Sequence, residues 1–267
     1  MQQPFKNKII VITGASSGIG KSMAIAFAKS EAKLFLVARS LENLELVKTE
    51  CLNYCKYVEV YQLDVSKESD IQKFAEIISR SISKIDILIN CAGVSQRSII
   101  KETAIEVERK IMETNFWGTV NVTKSLLPFL EKSNKGNIVI ISSLAGIFGT
   151  PFRGAYSASK HALKGYFETL RLEYDNDDIK ILLVYPGFID TSISYNSLTG
   201  NGELHRQNSE NQKNGISPDE CASKILEAII NGKKEIVIGG KETLMVFFKK
   251  YLPSLFYYLI KKQKNLK

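Results

Sequence analysis

The chain has little of what holds small or metal-built proteins together: 4 cysteines, 2 histidines and 1 tryptophan among 267 residues. Cys51, Cys55, Cys91 and Cys221 follow no framework spacing. Cys51 and Cys55 fall four apart on an expected helix, with only two histidines in the chain to complete a metal site. A disulfide scaffold is excluded and no metal is expected, leaving small buried thiols in a reducing cytosol. No apolar stretch reaches the ~18 residues that a spanning helix needs. Met1 to Lys8 enters an apolar strand without an h-region or a small-residue cleavage site, so no signal peptide is expected and a cytoplasmic location is. Internal repeats and low-complexity tracts are lacking too.

Net positive charge is scarce over most of the length. Of the formal +8, residues 241–267 carry +6 through seven lysines and one acid, Glu242. The body is close to neutral, which excludes a nucleic-acid-binding face. What is present, 44% hydrophobic and 24% charged residues, suits one large core. Residues 1–240 are expected to form one domain and 241–267 a basic, apolar helical tail. Within that tail Leu244–Phe248 and Leu255–Ile260 are strongly apolar, and Pro253 separates two short helices. These faces either pack over a pocket or subunit interface, or make peripheral contact with an anionic membrane surface.

Along the body, strand-like and helix-like segments alternate. Ile9–Ile12, Leu34–Val37, Val58–Leu63, Ile85–Ile89, Ile138–Ile141 and Ile179–Val184 are β-rich runs. Continuous apolar strands separated by helices predict a doubly wound α/β fold, with a parallel sheet covered on both faces. Ser40, Ser66 and Ser217 are expected to open helices, and Thr103 with Glu106 to form a capping box. Thr103 to Lys132 reads as two successive helices. Ser192 to Gly215 is polar and without period, the mark of a functional lid.

The first strand leads into Thr13-Gly14-Ala15-Ser16-Ser17-Gly18-Ile19-Gly20, a turn that runs into a helix. Glycine there permits positive φ or close approach to a ligand, and a helix N-terminus attracts a pyrophosphate. Gly14, Ser16, Ser17, Gly18, Ile19 and Gly20 therefore form a candidate dinucleotide cradle, or else merely a tight turn. Ala38-Arg39-Ser40 ends the second strand where an NAD site would place an acid; Arg39 instead suits the 2′-phosphate of NADP. Asp64, followed by Val65, either accepts from an adenine amino group or caps the next helix. Asn90-Cys91-Ala92-Gly93 ends the fourth strand with small residues, and Asn90, Ala92 and Gly93 join the cofactor set.

Tyr156 and Lys160 lie four apart on one helical face. A phenol of pKa about 10 is a poor base at neutral pH, and a neighbouring ammonium lowers that value. Tyr156 could then exchange a proton with a carbonyl or carbinol oxygen as hydride moves. Ser143, thirteen residues earlier, could hold that oxygen. Asn115, awkward inside a helix, either holds a water beside Lys160 or satisfies a backbone carbonyl. Pro186-Gly187 starts a turn after the sixth strand, with Ile189 and Thr191 beyond it as cofactor contacts. His161 is expected to be structural.

Taken together, these residues resemble the short-chain dehydrogenase/reductase family over nearly the whole chain. Val94–Ser98, Ser159–Gly165 and Tyr251–Ser254 are similar to its branch containing dehydrogenase/reductase member 7 and 11β-hydroxysteroid dehydrogenase. The resemblance implies a Rossmann-type sheet of about seven strands and an Asn115, Ser143, Tyr156, Lys160 tetrad. It further implies an NADP(H)-dependent oxidoreductase acting on a lipophilic carbonyl or alcohol, and a homodimer or homotetramer built through the helices around Asn115 and Tyr156. A non-catalytic NADP(H)-binding regulator is the alternative. Cys91 departs from the family pattern, where a second asparagine is usual.

Overall fold

The computed structural model describes residues 4–174, 178–207 and 210–263. The N-terminal expectation for Met1 to Gln3, residues 208–209 of the lid, and Lys264 and Lys267 of the tail lie outside the described residues. Seven segments form strands: β1 (Ile9–Thr13), β2 (Lys33–Ala38), β3 (Val58–Gln62), β4 (Ile87–Asn90), β5 (Gly136–Ile141), β6 (Ile179–Pro186) and β7 (Glu235–Ile238). All pair in parallel, in the order β3-β2-β1-β4-β5-β6-β7. The edge strand β7 is only four residues long and partly exposed, with an apolar run of just three residues, Ile236 to Ile238.

The helices are α1 (Gly18–Lys29), α2 (Leu41–Leu52), α3 (Glu68–Ser81), α4 (Ile105–Met112), α5 (Gly118–Glu131), α6 (Gly154–Glu173), α7 (Glu210–Lys213), α8 (Pro218–Ile230), α9 (Leu244–Tyr251) and α10 (Pro253–Gln263). Strand alternation sorts the core into two layers. Ile10, Ile12, Ile87 and Ile89 pack with Phe27 of α1, Leu44 of α2 and Ile225 of α8. Val11, Leu88 and Ile138 pack on the other face with Phe74 of α3, Leu126 of α5 and Phe167 of α6. The result is a Rossmann-type sheet whose central strands are buried on both sides, which is why they read as continuous apolar runs. The sheet order reverses between β1 and β4, so a crevice opens at their C-terminal ends.

At the opposite strand ends Asp86 is buried. It accepts hydrogen bonds from the Ile9 N–H at 2.9 Å, Ser133 at 2.9 Å, Lys84 at 3.0 Å and Lys8 at 3.2 Å. Burial works to raise its pKa, but these donors hold the carboxyl below the ordinary range. The carboxylate thereby ties the starts of β1 and β4 together and sets their register.

Two expected helix starts are corrected. Ser66 does not open α3, whose N-cap is Lys67; its hydroxyl instead donates to Asp64 at 2.8 Å. The Thr103–Glu106 capping box does not form, and α4 is preceded by Ala104 with no side-chain cap. The Thr103 hydroxyl is consumed by the Ile99 carbonyl at 2.9 Å and by Ser98 at 2.7 Å. Ser40 and Ser217 do cap their helices, accepting from Asn43 N and Glu220 N.

The aperiodic stretch after β6 is pinned down over its described part. Leu198 bridges to both Gln96 and Leu204. Buried Gln212 donates to the Ile189 carbonyl at 2.7 Å and accepts from Ser194 at 2.9 Å. Its polar residues therefore form an internal hydrogen-bond set, which hydrophobic periodicity cannot register.

The tail helices α9 and α10 pack by one face. Phe256 and Ile260 are buried against Leu144 and Phe148, and the Phe148 and Phe256 rings meet edge-on at 5.1 Å. Leu244, Phe247, Tyr251, Tyr257 and Tyr258 stay more than half exposed. Among the described residues no helix is long and apolar enough to cross a membrane.

Candidate active site

The turn after β1 shows why glycine is needed. Gly14 has φ +68° and Gly18 φ +52°, a region that L side chains rarely adopt. A β-carbon on Gly14 would also stand 2.8 Å from the Ala92 nitrogen, so the turn can lie directly on the strand β4 exit. Ser17 precedes α1 without capping it, and no acid occupies the first turn. The leading N–H groups of α1 consequently remain available to an anion, with the helix dipole behind them. Thr13 staples the two strand ends by accepting from Cys91 N at 3.1 Å and Ala92 N at 3.2 Å.

A cavity of about 730 Å³ runs from this turn across the sheet edge. Gly14, Ser16, Ser17, Gly18, Ile19, Arg39, Asp64, Val65, Ala92, Gly93, Ser143, Tyr156, Lys160, Pro186, Gly187, Ile189 and Thr191 all line it. Three predicted site residues do not. Asn90 turns away, its amide nitrogen donating to Thr123 of α5 at 3.0 Å. Gly20 sits behind the turn, where a β-carbon would strike the Gly14 carbonyl. Asn115 lies fully buried in a π-helical turn, Glu113–Trp117, between α4 and α5.

Asn115 is occupied by the backbone of Val94. Its Oδ1 accepts from Val94 N at 2.8 Å, and its Nδ2 donates to Val94 O at 2.9 Å and Ser159 Oγ at 3.1 Å. A β-carbon on Gly93 would stand 3.2 Å from that Oδ1 and 3.5 Å from Lys160 Nζ, so Gly93 lets both groups approach. Of the two sequence readings for Asn115, backbone satisfaction describes its bonds.

Tyr156 and Lys160 are one turn apart on α6, both buried. The Lys160 ammonium lies 5.9 Å from the Tyr156 ring centre and donates to the Ile141 carbonyl at 2.8 Å. Ser143 follows β5 in extended conformation, its oxygen accepting from Ala145 N at 3.2 Å. That bond leaves the hydroxyl proton free to donate. A phenol, an ammonium and a hydroxyl thus line one cavity, the set needed to move a proton on and off an oxygen. His161 sits outside, its Nδ1 paired with the Ser157 carbonyl at 2.8 Å.

Asp64 does not cap α3, whose N-cap is Lys67; its Oδ1 instead accepts from Ser66 N at 3.0 Å and from the Ser66 hydroxyl in a turn ahead of the helix. Burial opposes ionisation there, but the Ser66 bonds, then Arg39 and Lys67, hold the carboxyl below its ordinary value. Arg39 and Asp64 therefore form the charged end of the cavity. The four thiols are free; burial pushes Cys51 up to about 12 and Cys91 to about 11, so neither is a ready thiolate.

Sequence reading missed two cavity residues with a structural task. Glu242 accepts from Phe188 N at 2.8 Å and Gly240 N at 3.0 Å, tying the tail to the turn after β6. Arg153 lines the cavity beside Tyr156. Neither belongs to a periodic or spaced motif.

The chain and its fold are similar to those of known proteins. The family described as short chain dehydrogenase matches residues 8–201. The Dehydrogenase/reductase SDR family protein 7-like of Drosophila melanogaster is 36% identical over 270 residues, 98% of this chain and 83% of that protein. An alcohol dehydrogenase from the archaeon Thermococcus sibiricus, solved in complex with 5-hydroxy-NADP, superposes with a TM-score of 0.74 at 25% identity, covering 88% of this chain and 97% of that one. A short chain dehydrogenase/reductase from Burkholderia phymatum, solved with NAD, superposes with a TM-score of 0.79 at 24% identity, covering 92% of each chain.

Proposed function

The chain belongs to the short-chain dehydrogenase family, and from that premise we propose that it is an NADP(H)-dependent oxidoreductase acting on a lipophilic carbonyl or secondary alcohol, with Tyr156 as its acid–base group. The observation that carries this reading is that Ser143, Tyr156 and Lys160 line the same cavity as the Gly14–Ile19 turn. The uncapped start of α1 fits a pyrophosphate, and Arg39 at the end of β2 fits a 2′-phosphate. Asp64, Val65, Ala92 and Gly93 would flank the adenosine; Lys160, Pro186, Gly187, Ile189 and Thr191 would hold the nicotinamide half. When bound, the nicotinamide supplies or accepts the hydride.

The chain's own residues handle the proton. Ser143 donates a hydrogen bond to the substrate oxygen, Tyr156 gives or takes its proton, and Lys160 stabilises the phenolate. Asn115 acts at one remove, holding Val94 and with it the cavity wall. Exposed Ile105, Trp117 and Leu172 on the α4–α6 side suit a homodimer or homotetramer. The outward apolar face of α9 and α10, beside Lys250 and Lys261, suits peripheral contact with an anionic bilayer.

The test is NADPH oxidation over aldehydes and ketones of graded chain length. Turnover that rises with chain length is expected. NADPH binding without turnover on any member would leave the regulator reading standing instead. The cofactor preference has its own measurement: Arg39→Ala is expected to weaken NADPH binding by ~1.5–3 kcal/mol, with little change for NADH. Fluorescence titration of both cofactors decides it, and an equal loss for each would take Arg39 away from the 2′-phosphate.

A further inference from the structure

Three residues before Tyr156, the Arg153 guanidinium lines the cavity with its carbon 5.7 Å from the Tyr156 ring centre. Among the described residues no carboxylate lies within 4.0 Å of Arg153 or of its neighbour Arg97. Glu108 reaches the same turn, with Oε1 4.0 Å from where a Gly154 β-carbon would stand, yet it pairs with neither arginine. Arg97 instead stacks its guanidinium over the Phe152 ring at 5.4 Å. Burial, and then repulsion from Arg97, work to lower the Arg153 pKa, while Tyr156 opposes them.

The other charges of the cavity do not help. Lys160 is a further cation, bonded to the Ile141 carbonyl. The two carboxylates of the cavity keep their charge, but Asp64 Oδ1 is bonded to Ser66 and Glu242 Oε1 to Phe188 N and Gly240 N, and neither pairs with Arg153. Arg153 is partly buried and faces the cavity, where a cation without a counter-ion beside a like-charged neighbour is unfavourable. A guanidinium presents a planar fork that matches a carboxylate or a phosphate, so an arriving anion would relieve this.

We infer that the substrate carries an anionic group, carboxylate or phosphate, on the same molecule as its reacting carbonyl, and that Arg153 binds it. The inference rests on the oxidoreductase reading for the carbonyl, but the anion site stands on Arg153 itself. Phe148, Met245 and Leu204 in the cavity wall would cover the apolar remainder of such an amphiphile.

The experiment compares kcat/KM for ketones matched in chain length, one neutral, one ending in carboxylate and one in phosphate. It is run on the wild type, Arg153→Gln and Arg153→Lys. The wild type is expected to prefer an anionic member, and the anionic-to-neutral ratio to fall about 10- to 100-fold in Arg153→Gln, with partial recovery in Arg153→Lys. The preferred anion tells carboxylate from phosphate. Equal losses on all three substrates would mean that Arg153 acts only through Tyr156 or the fold, and overturn the inference. So would a wild type without anionic preference.

Calorimetric binding of octanoate, octyl phosphate and octanol is measured alongside. Arg153-dependent binding of either anion in a chain that turns over no ketone would keep the anion site and sink the oxidoreductase reading. Turnover of neutral ketones with no anion binding would do the reverse.

Discussion

Tyr156→Phe is expected to cut turnover ~10²-fold or more at saturating cofactor, while the cofactor still binds. The substitution keeps the ring that faces Lys160 at 5.9 Å and Arg153 at 5.7 Å, so the local packing has no reason to change. Its backbone bond, Tyr156 N donating to Gln96 at 3.2 Å, is kept as well. Only the hydroxyl is lost, and with it the one phenol in the cavity that can exchange a proton beside an ammonium. Steady-state turnover together with NADPH titration reads both halves. Comparable turnover in the two proteins would falsify the acid–base role; a parallel loss of cofactor affinity would point to a collapsed cleft.

Phe256→Ala is expected to remove ~3–5 kcal/mol, the usual cost of emptying a buried phenylalanine site. The loss falls on the tail and leaves the sheet standing. Phe256 and Ile260 meet Leu144 and Phe148 in a small cluster apart from the two main core layers, so α9 and α10 can undock locally. Limited trypsin digestion should show it, because Lys249, Lys250, Lys261 and Lys262 lie on these helices. The undocked population, and with it the cleavage rate, should rise from about 10²-fold to a few times 10³-fold. Tyr258→Ala, at a 57% exposed position on the same helix, is the control and should change little. Equal cleavage of wild type and Phe256→Ala would mean that the tail is not held by this ring. Met245 and Ile260 also line the cavity, so undocking should raise KM for apolar substrates.

What the sequence made legible follows from which forces leave periodic traces. Strands buried on both faces must be continuously apolar, so β1, β2 and β4 to β6 could be read directly. The Gly14–Gly18 turn and the Tyr156–Lys160 spacing are local geometry and could be read too. Its place beside Gly93 points Asn90 to the cleft, yet alternation argues otherwise. Ile87 and Ile89 enter one core layer and Leu88 the other, which puts Asn90 on the Leu88 side, facing α5. Thr103 looked like a cap because Glu106 follows at the right distance, but Ser98 and the Ile99 carbonyl compete for its hydroxyl from outside any local pattern. Asn115 sits in a π-helical turn, and nothing in a 3.6-residue period announces one. Arg153 and Glu242 owe their positions to tertiary closure alone.

The place of β1 at the middle of the sheet has a kinetic consequence. Ile10 pairs with Leu34 on one side and with Ile87 on the other, so the first strand in the chain cannot be completed by its nearest neighbours. A half-sheet of β1, β2 and β3 would have to wait with one edge of β1 open until β4 docks, and such distant pairings are slow to form. The Thr13 hydroxyl would find Cys91 N and Ala92 N only at that docking step. Nucleotide affinity should therefore return late in refolding, in the phase that joins the two halves of the sheet, well after most helical signal has recovered.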